Sequence, residues 1–193
     1  MELSERQQQI IEASIGLIDR LGIQGFTIKN LSKEIGISEP AIYRHFESKV
    51  EILGTILESF RQQVKHYHDQ GPDQDAQDPR EAIEQFFTMV FRVFSQNPTM
   101  VSVIFAEEIF RNEPALTRKV TEIQHFNEEV LTALIEKLPL NENVSGQSKG
   151  FVTMMFFGSV RLLVRKWRMS ESGFDLQREG KKLIETILNL ITV

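Results

Sequence analysis

Apolar residues recur at three- and four-residue spacing through every periodic stretch of the chain, and no run alternates at the two-residue period of a strand. That property restricts the fold to the all-α class. The first stretch, from about Ser4 to Leu21, carries Ile10, Ile11, Ile15, Leu17, Ile18 and Leu21 on one broad face. Ser4 is placed to cap its start and Gly22 to stop it. Thr27 then heads a short helix to Glu34 or Ile35, with Ile28, Leu31 and Ile35 on one side. Gly36 can take the positive φ of a tight turn. Ser38 is placed to cap the next helix, Pro40 fits its first turn, and Ile42, Tyr43 and Phe46 follow. Ser48 with Glu51 reads as a capping box for a longer helix over about 48–68, through Val50, Leu53, Ile56, Leu57, Phe60 and Val64.

Residues 69–79 are polar and contain Gly71, Pro72 and Pro79, the clearest break in the chain. Beyond it the pattern predicts helices over about 79–95, 98–111, 114–138, 146–169 and 175–192. They are punctuated by Asn97-Pro98, Glu113-Pro114, Leu138-Pro139 and Ser172-Gly173. The expectation is therefore about nine helices. An N-terminal three-helix domain spans 1–48, with a helix-turn-helix at about 27–46, and a larger helical domain spans 49–193.

Charge by itself does not point to nucleic acid. The net charge is −5, and residues 1–70 carry eight Lys and Arg against ten Asp and Glu. A narrower window, residues 20–49, holds Arg20, Lys29, Lys33, Arg44 and Lys49 against Glu34, Glu39 and Glu47. Any DNA contact must be a small local patch. The absence of cysteine excludes disulfides, thiolate metal sites and a cysteine nucleophile. The charged start Met1-Glu2-Leu3-Ser4-Glu5-Arg6 lacks the apolar region of a signal peptide. The most apolar stretch, Phe151 to Val164, is interrupted by Arg161 and too short to span a bilayer. These features lead to the expectation of a soluble, cytoplasmic protein without membrane contact.

A DNA-reading helix needs a partner helix behind it, a tight turn, apolar residues inside and small or polar residues outside. Residues 27–46 meet each demand. Ile28, Leu31, Ile35, Ile37, Ile42 and Phe46 form the inner set; Ser38, Glu39, Pro40, Ala41, Tyr43, Arg44 and His45 remain for the outer one. Thr27 and Lys49 stand at helix starts, where backbone N–H groups and a side chain can hold phosphate. Ser38, Glu39, Pro40, Ala41 and Arg44 are candidates for base edges or a thymine methyl. Glu39 either accepts from a cytosine amino group or repels phosphate. The bland alternative is that Tyr43 and His45 only pack a small core.

The string of residues resembles the tetracycline-repressor (TetR) family. The match runs through Ile10-Ile11-Glu12-Ala13 to Gly22, Gly25-Phe26-Thr27, Leu31-Ser32-Lys33-Glu34-Ile35-Gly36-Ile37-Ser38 and Ala41-Ile42-Tyr43-Arg44-His45-Phe46-Glu47-Ser48-Lys49. It covers roughly the first quarter of the chain; the rest agrees in length and helical layout. The resemblance implies a homodimeric repressor that releases an inverted-repeat operator on binding a small molecule. It also implies that Tyr43, His45 and Lys49 grip the DNA backbone, which fixes register without reading sequence. Glu39 departs from the small, basic or polar residues common there. The last two helices are the dimer interface by the same resemblance. Gly150, Gly158 and Ser159 would permit close approach, with Met155, Leu162, Leu163, Leu176, Leu183, Ile184, Ile187, Leu188, Leu190 and Ile191 supplying apolar area.

The region after Pro79 holds 11 of the 14 phenylalanines, and Phe87, Phe91 and Phe94 share one helix face. Such density fits a bundle core or an apolar ligand pocket. Phe87, Phe91, Phe105, Phe126, Met154 and Phe157 are the candidate lining. Arg161 interrupts an apolar helix and can pair with Glu107, Glu108 or a ligand carboxylate. No cofactor is expected. No phosphate loop, nucleophile elbow or metal-ligand pattern stands out, which argues against an enzyme. His66, His68 and Asp69 invite a metal reading, but helix positions two apart do not face each other. Three readings remain: a ligand-responsive regulator, a DNA-binding protein of this fold without a ligand, and a helical scaffold that no longer binds DNA.

Overall fold

The computed structural model describes residues 3–69 (side chains to 66), 78–105, 110, 112–145 and 149–193. Among these residues it contains ten helices and no strand; a single antiparallel bridge joins Leu140 and Thr192. The helices are α1 (Glu5–Gly25), α2 (Ile28–Ile35), α3 (Glu39–Tyr43), α4 (Lys49–Asp69) and α5 (Pro79–Gln96), then α6 (Pro98–Ile104), α7 (Pro114–Ile135), α8 (Glu142–Ser145), α9 (Lys149–Met169) and α10 (Leu176–Ile191). The tenth is the four-residue α8, too short to leave a periodic trace. α6 ends at Ile104 with Phe105 in a turn, short of the helix expected over 98–111; residues 106–109 and 111 lie outside the described residues.

The chain divides into two compact units, Met1–Gln63 with Thr99–Ile123 and Val64–Pro98 with Gln124–Val193. In the first, Ser4 caps α1 by accepting from the Gln7 backbone N–H, and the Gln7 side chain returns to the Ser4 N–H. Gly22 adopts φ 70 and ψ 170, so α1 is broken there and resumes to Gly25. Ile10, Leu17 and Ile18 of α1, Phe26, Leu31 of α2, Ile42 and Phe46 close the core behind the short helices. Ile35 and Ile37, expected inside, are only half-buried because they flank the turn at Gly36. On α4, Ile52, Leu53, Ile56, Leu57 and Phe60 are buried. Glu58 of α4 receives two hydrogen bonds from Arg61 (3.0 and 2.6 Å) and one from Lys119 of α7 (3.4 Å). The Arg61 hydrogen bonds come first among the causes that hold the Glu58 carboxyl at about 2, well below the ordinary carboxylate range.

The second unit is built on α5 against α10. Ala82, Ile83, Phe86, Phe87, Phe91, Val93 and Phe94 form one buried face of α5. Leu176, Gly180, Ile184, Ile187, Leu188 and Ile191 form that of α10. The approach is close at Gly180, where a Cβ would stand 2.4 Å from the Phe91 ring, so no larger residue fits without repacking. Most of the apolar face of α10 is therefore used inside the chain. Arg80 fastens the end of α10 by donating to Asn189 (2.6 Å) and Thr192 (3.3 Å). Asn141 adds hydrogen bonds to the Ile191 and Leu190 carbonyls (2.9 and 2.8 Å). Val152, Phe156, Val160, Val164 and Trp167 are the inward residues of α9.

Candidate nucleic-acid interface

Thr27 is extended at φ −128 and ψ 153, and its hydroxyl accepts from the Asn30 N–H at 3.1 Å. After its eight residues α2 stops at Gly36, which takes the left-handed conformation (φ 73, ψ 31) and donates its N–H to the Ser32 carbonyl. A side chain there would be strained; glycine is not. The chain turns at once into α3, where Pro40 lies in the first turn and, having no N–H, needs no hydrogen-bond acceptor. Ser38 is the one expected cap that does not act as one. It has cap geometry, yet its hydroxyl makes no capping hydrogen bond; Ala41 and Ile42 bond instead to its carbonyl. Ser48 does cap α4, accepting from the Glu51 N–H at 3.1 Å, while the Glu51 carboxylate reaches back to the Glu47 N–H rather than to Ser48.

This frame leaves Thr27, Ser38, Glu39, Pro40, Tyr43 and Arg44 exposed, with Ala41, His45 and Lys49 half-buried. Tyr43 keeps 50% of its surface open to solvent, more than a core tyrosine would. Two supporting residues give no periodic signal in the sequence. Gln7 of α1 donates its side-chain amide to the His45 carbonyl (3.2 Å), tying the start of α1 to the segment after α3. Phe26 is fully buried, with the Lys49 ammonium 5.3 Å from its ring centroid, a cation–π distance. Burial lowers the pKa of Lys49 from the usual lysine value. Arg20 pairs with Glu34 at 2.7 Å, which removes one cation from the local basic patch.

In the second unit, Phe87 stacks on Phe156 (5.4 Å between centroids) and meets Phe86 and Phe157 edge-on (5.0 and 6.1 Å). Phe91 lies 6.3 Å from Phe87. Of the candidate lining, Phe87, Phe91 and Phe157 are thus brought together, and Phe86 and Phe156 join them. Phe126 is half-buried in the same unit, and Phe105 is half-buried in the first unit. Met154 is 67% exposed and Arg161 is exposed, so neither belongs to the phenylalanine cluster. Glu107 and Glu108, proposed partners of Arg161, lie outside the described residues. His66 is exposed, and the side chains of His68 and Asp69 are likewise outside the description. Among the described residues no helix is long and apolar enough to cross a membrane.

Two short helices joined at a left-handed glycine, with an apolar interior and an open polar face, make a helix-turn-helix of the DNA-binding kind. Residues 10–56 match the model of the bacterial regulatory proteins of the tetR family. The chain is similar to that family over this segment, which runs from within α1 through α2 and α3 into α4. It is 27% identical over 132 residues to the nucleoid occlusion factor SlmA of Glaesserella parasuis serovar 5, a match covering 65% of each chain. It is 21% identical to the probable acrEF/envCD operon repressor of Escherichia coli K12, covering 98% of this chain and 88% of that one. Its fold is similar to that of the fatty acid degradation regulator FadR from Bacillus halodurans, with a TM-score of 0.77, 19% identity and 97% of each chain covered.

Proposed function

We propose that this protein is a cytoplasmic transcription regulator, a repressor that binds an inverted-repeat operator as a homodimer and leaves it when an apolar or aromatic small molecule binds. The observation that carries the reading is the open face of α3. Ser38, Glu39, Pro40, Tyr43 and Arg44 are all exposed on a segment whose inner residues, Ile42 and Phe46, are buried. Residues 1–48 act as the DNA-binding domain and 49–193 as the ligand-binding and dimerisation domain, with α4 as the linking helix. Thr27, Tyr43, His45 and Lys49 hold phosphates; Ser38, Glu39, Pro40, Ala41 and Arg44 face base edges. A two-fold dimer sets its recognition helices roughly 34–36 Å apart, one DNA turn, and requires an inverted repeat. The repressor named above, matched over nearly the whole chain, supports the direction of control.

The phenylalanine cluster around Phe87 supports the ligand reading, since a dense apolar core with few polar groups suits an uncharged hydrophobic effector. A second reading is a DNA-binding protein of this fold that answers to no small molecule; it rests on the match to a protein named a nucleoid occlusion factor and not a repressor. Purified protein is used to retain genomic fragments at moderate salt, and the retained fragments are sequenced. An enriched inverted repeat supports operator binding; no enrichment by folded, dimeric protein overturns it. Candidate effectors suggested by neighbouring genes are then added to the bound operator. Release supports the sensor, and unchanged affinity at saturation favours the second reading.

A further inference from the structure

We infer that Glu39 makes the operator carry a cytosine at one fixed position of each half-site. The inference rests on the operator-binding reading above. Glu39 is the first residue of α3, exposed, and held by no hydrogen bond or ion pair among the described residues. Of its acidic neighbours, Glu34 is paired with Arg20 and Glu51 with the backbone ahead of α4, while the exposed Glu47 lies beyond the end of α3. Of these four, only Glu39 lies within α3, and it presents an unengaged carboxylate there.

A carboxylate accepts hydrogen bonds and donates none, and it is repelled by phosphate. In the major groove guanine offers O6 and N7 and thymine O4, all acceptors, so both repel it. Two donors remain, the amino groups of adenine and cytosine. The adenine amino group stands beside the acceptor N7 of its own ring, which opposes the second carboxylate oxygen. The cytosine amino group has a C–H on that side. A recognition helix puts its N-terminal residues nearest the base edges, which is where Glu39 stands. The same charge weakens contact with DNA that lacks the cytosine, in a chain whose local basic patch is already small. Glu39 thus raises discrimination at the expense of general affinity.

The test is selection of bound duplexes from a random-sequence pool by the full chain, as wild type, Glu39→Gln and Glu39→Ala. Glu39 is exposed, so neither substitution opens a cavity. The wild type is expected to favour cytosine about fivefold or more at one position per half-site. Glu39→Gln should move that preference to adenine, to which an amide can both donate and accept. Glu39→Ala should flatten that position alone and bind unselected DNA more tightly. A wild-type site that is unchanged in both variants overturns the inference while leaving operator binding intact. Failure of the wild type to enrich any sequence overturns operator binding, and the inference with it.

Discussion

Lys49 is where the local chemistry of the interface is most constrained. Its ammonium lies over the Phe26 ring and its stem is half-buried at the start of α4, so it has fewer orientations to lose than a surface lysine. As a phosphate contact it should act without regard to sequence. Lys49→Ala is expected to weaken specific and non-specific DNA alike and to lower the salt slope of binding by about one. A loss confined to the operator, with the slope unchanged, would make Lys49 a structural residue only. Glu58 gives a prediction of a different kind. Its carboxyl titrates at about 2 in the folded chain because Arg61 and Lys119 favour the charged form. A folded-state pKa below the unfolded value stabilises the protein above the unfolded pKa, and the contribution is lost as pH falls toward 2. Glu58→Gln should therefore lower stability at pH 7 by about 1 kcal/mol and leave it nearly unchanged at pH 2. Chemical denaturation at the two pH values measures this, and an equal loss at both would assign the effect to packing instead.

At the scale of the element, the caps separate what the sequence declares from what it does not. Thr27 and Ser38 stand in equivalent places before short helices, yet only the Thr27 side chain accepts from the backbone of the helix it precedes. Thr27→Ala is expected to destabilise the chain by about 1 kcal/mol, while Ser38→Ala stays within a few tenths. Equal losses in thermal or urea unfolding would show that the Ser38 hydroxyl does cap α3 in solution. Thr27, Gly36 and Pro40 are legible in the sequence because each answers a local backbone demand that few residue types satisfy. Phe26 and Gln7 are not, since a lone aromatic or amide has no period and their partners, Lys49 and His45, lie far along the chain. The limit is clearest on α9. That helix is apolar around much of its circumference, so periodicity cannot tell which arc turns inward. Phe156 is fully buried and stacks on Phe87, whereas Met154, two residues earlier, is open to solvent.

Whole-molecule behaviour turns on that outward arc. Phe151, Met154 and Met169 are 65%, 67% and 73% exposed, and Met155 and Leu162 join them along one side of α9 with Gly158 among them. The apolar residues of α10, by contrast, are mostly buried against the chain's own core, leaving Leu190 exposed and Leu183 half-buried. If two copies associate through the last two helices, α9 must therefore supply most of the contact area. A charge set in the middle of that strip is costly to bury without a partner. Leu162→Glu should weaken dimerisation by about thirtyfold or more, the loss typical of a central interface residue. Leu162 is exposed within the single chain, so the helical content and unfolding of each copy should hold. Sedimentation over a concentration series reads the association. Binding to one half-site and to the full inverted repeat reads its consequence, since a monomer gains nothing from the second half-site. Dissociation together with loss of that gain places the two-fold contact on α9. A variant that stays dimeric and keeps the gain would move the contact to another face.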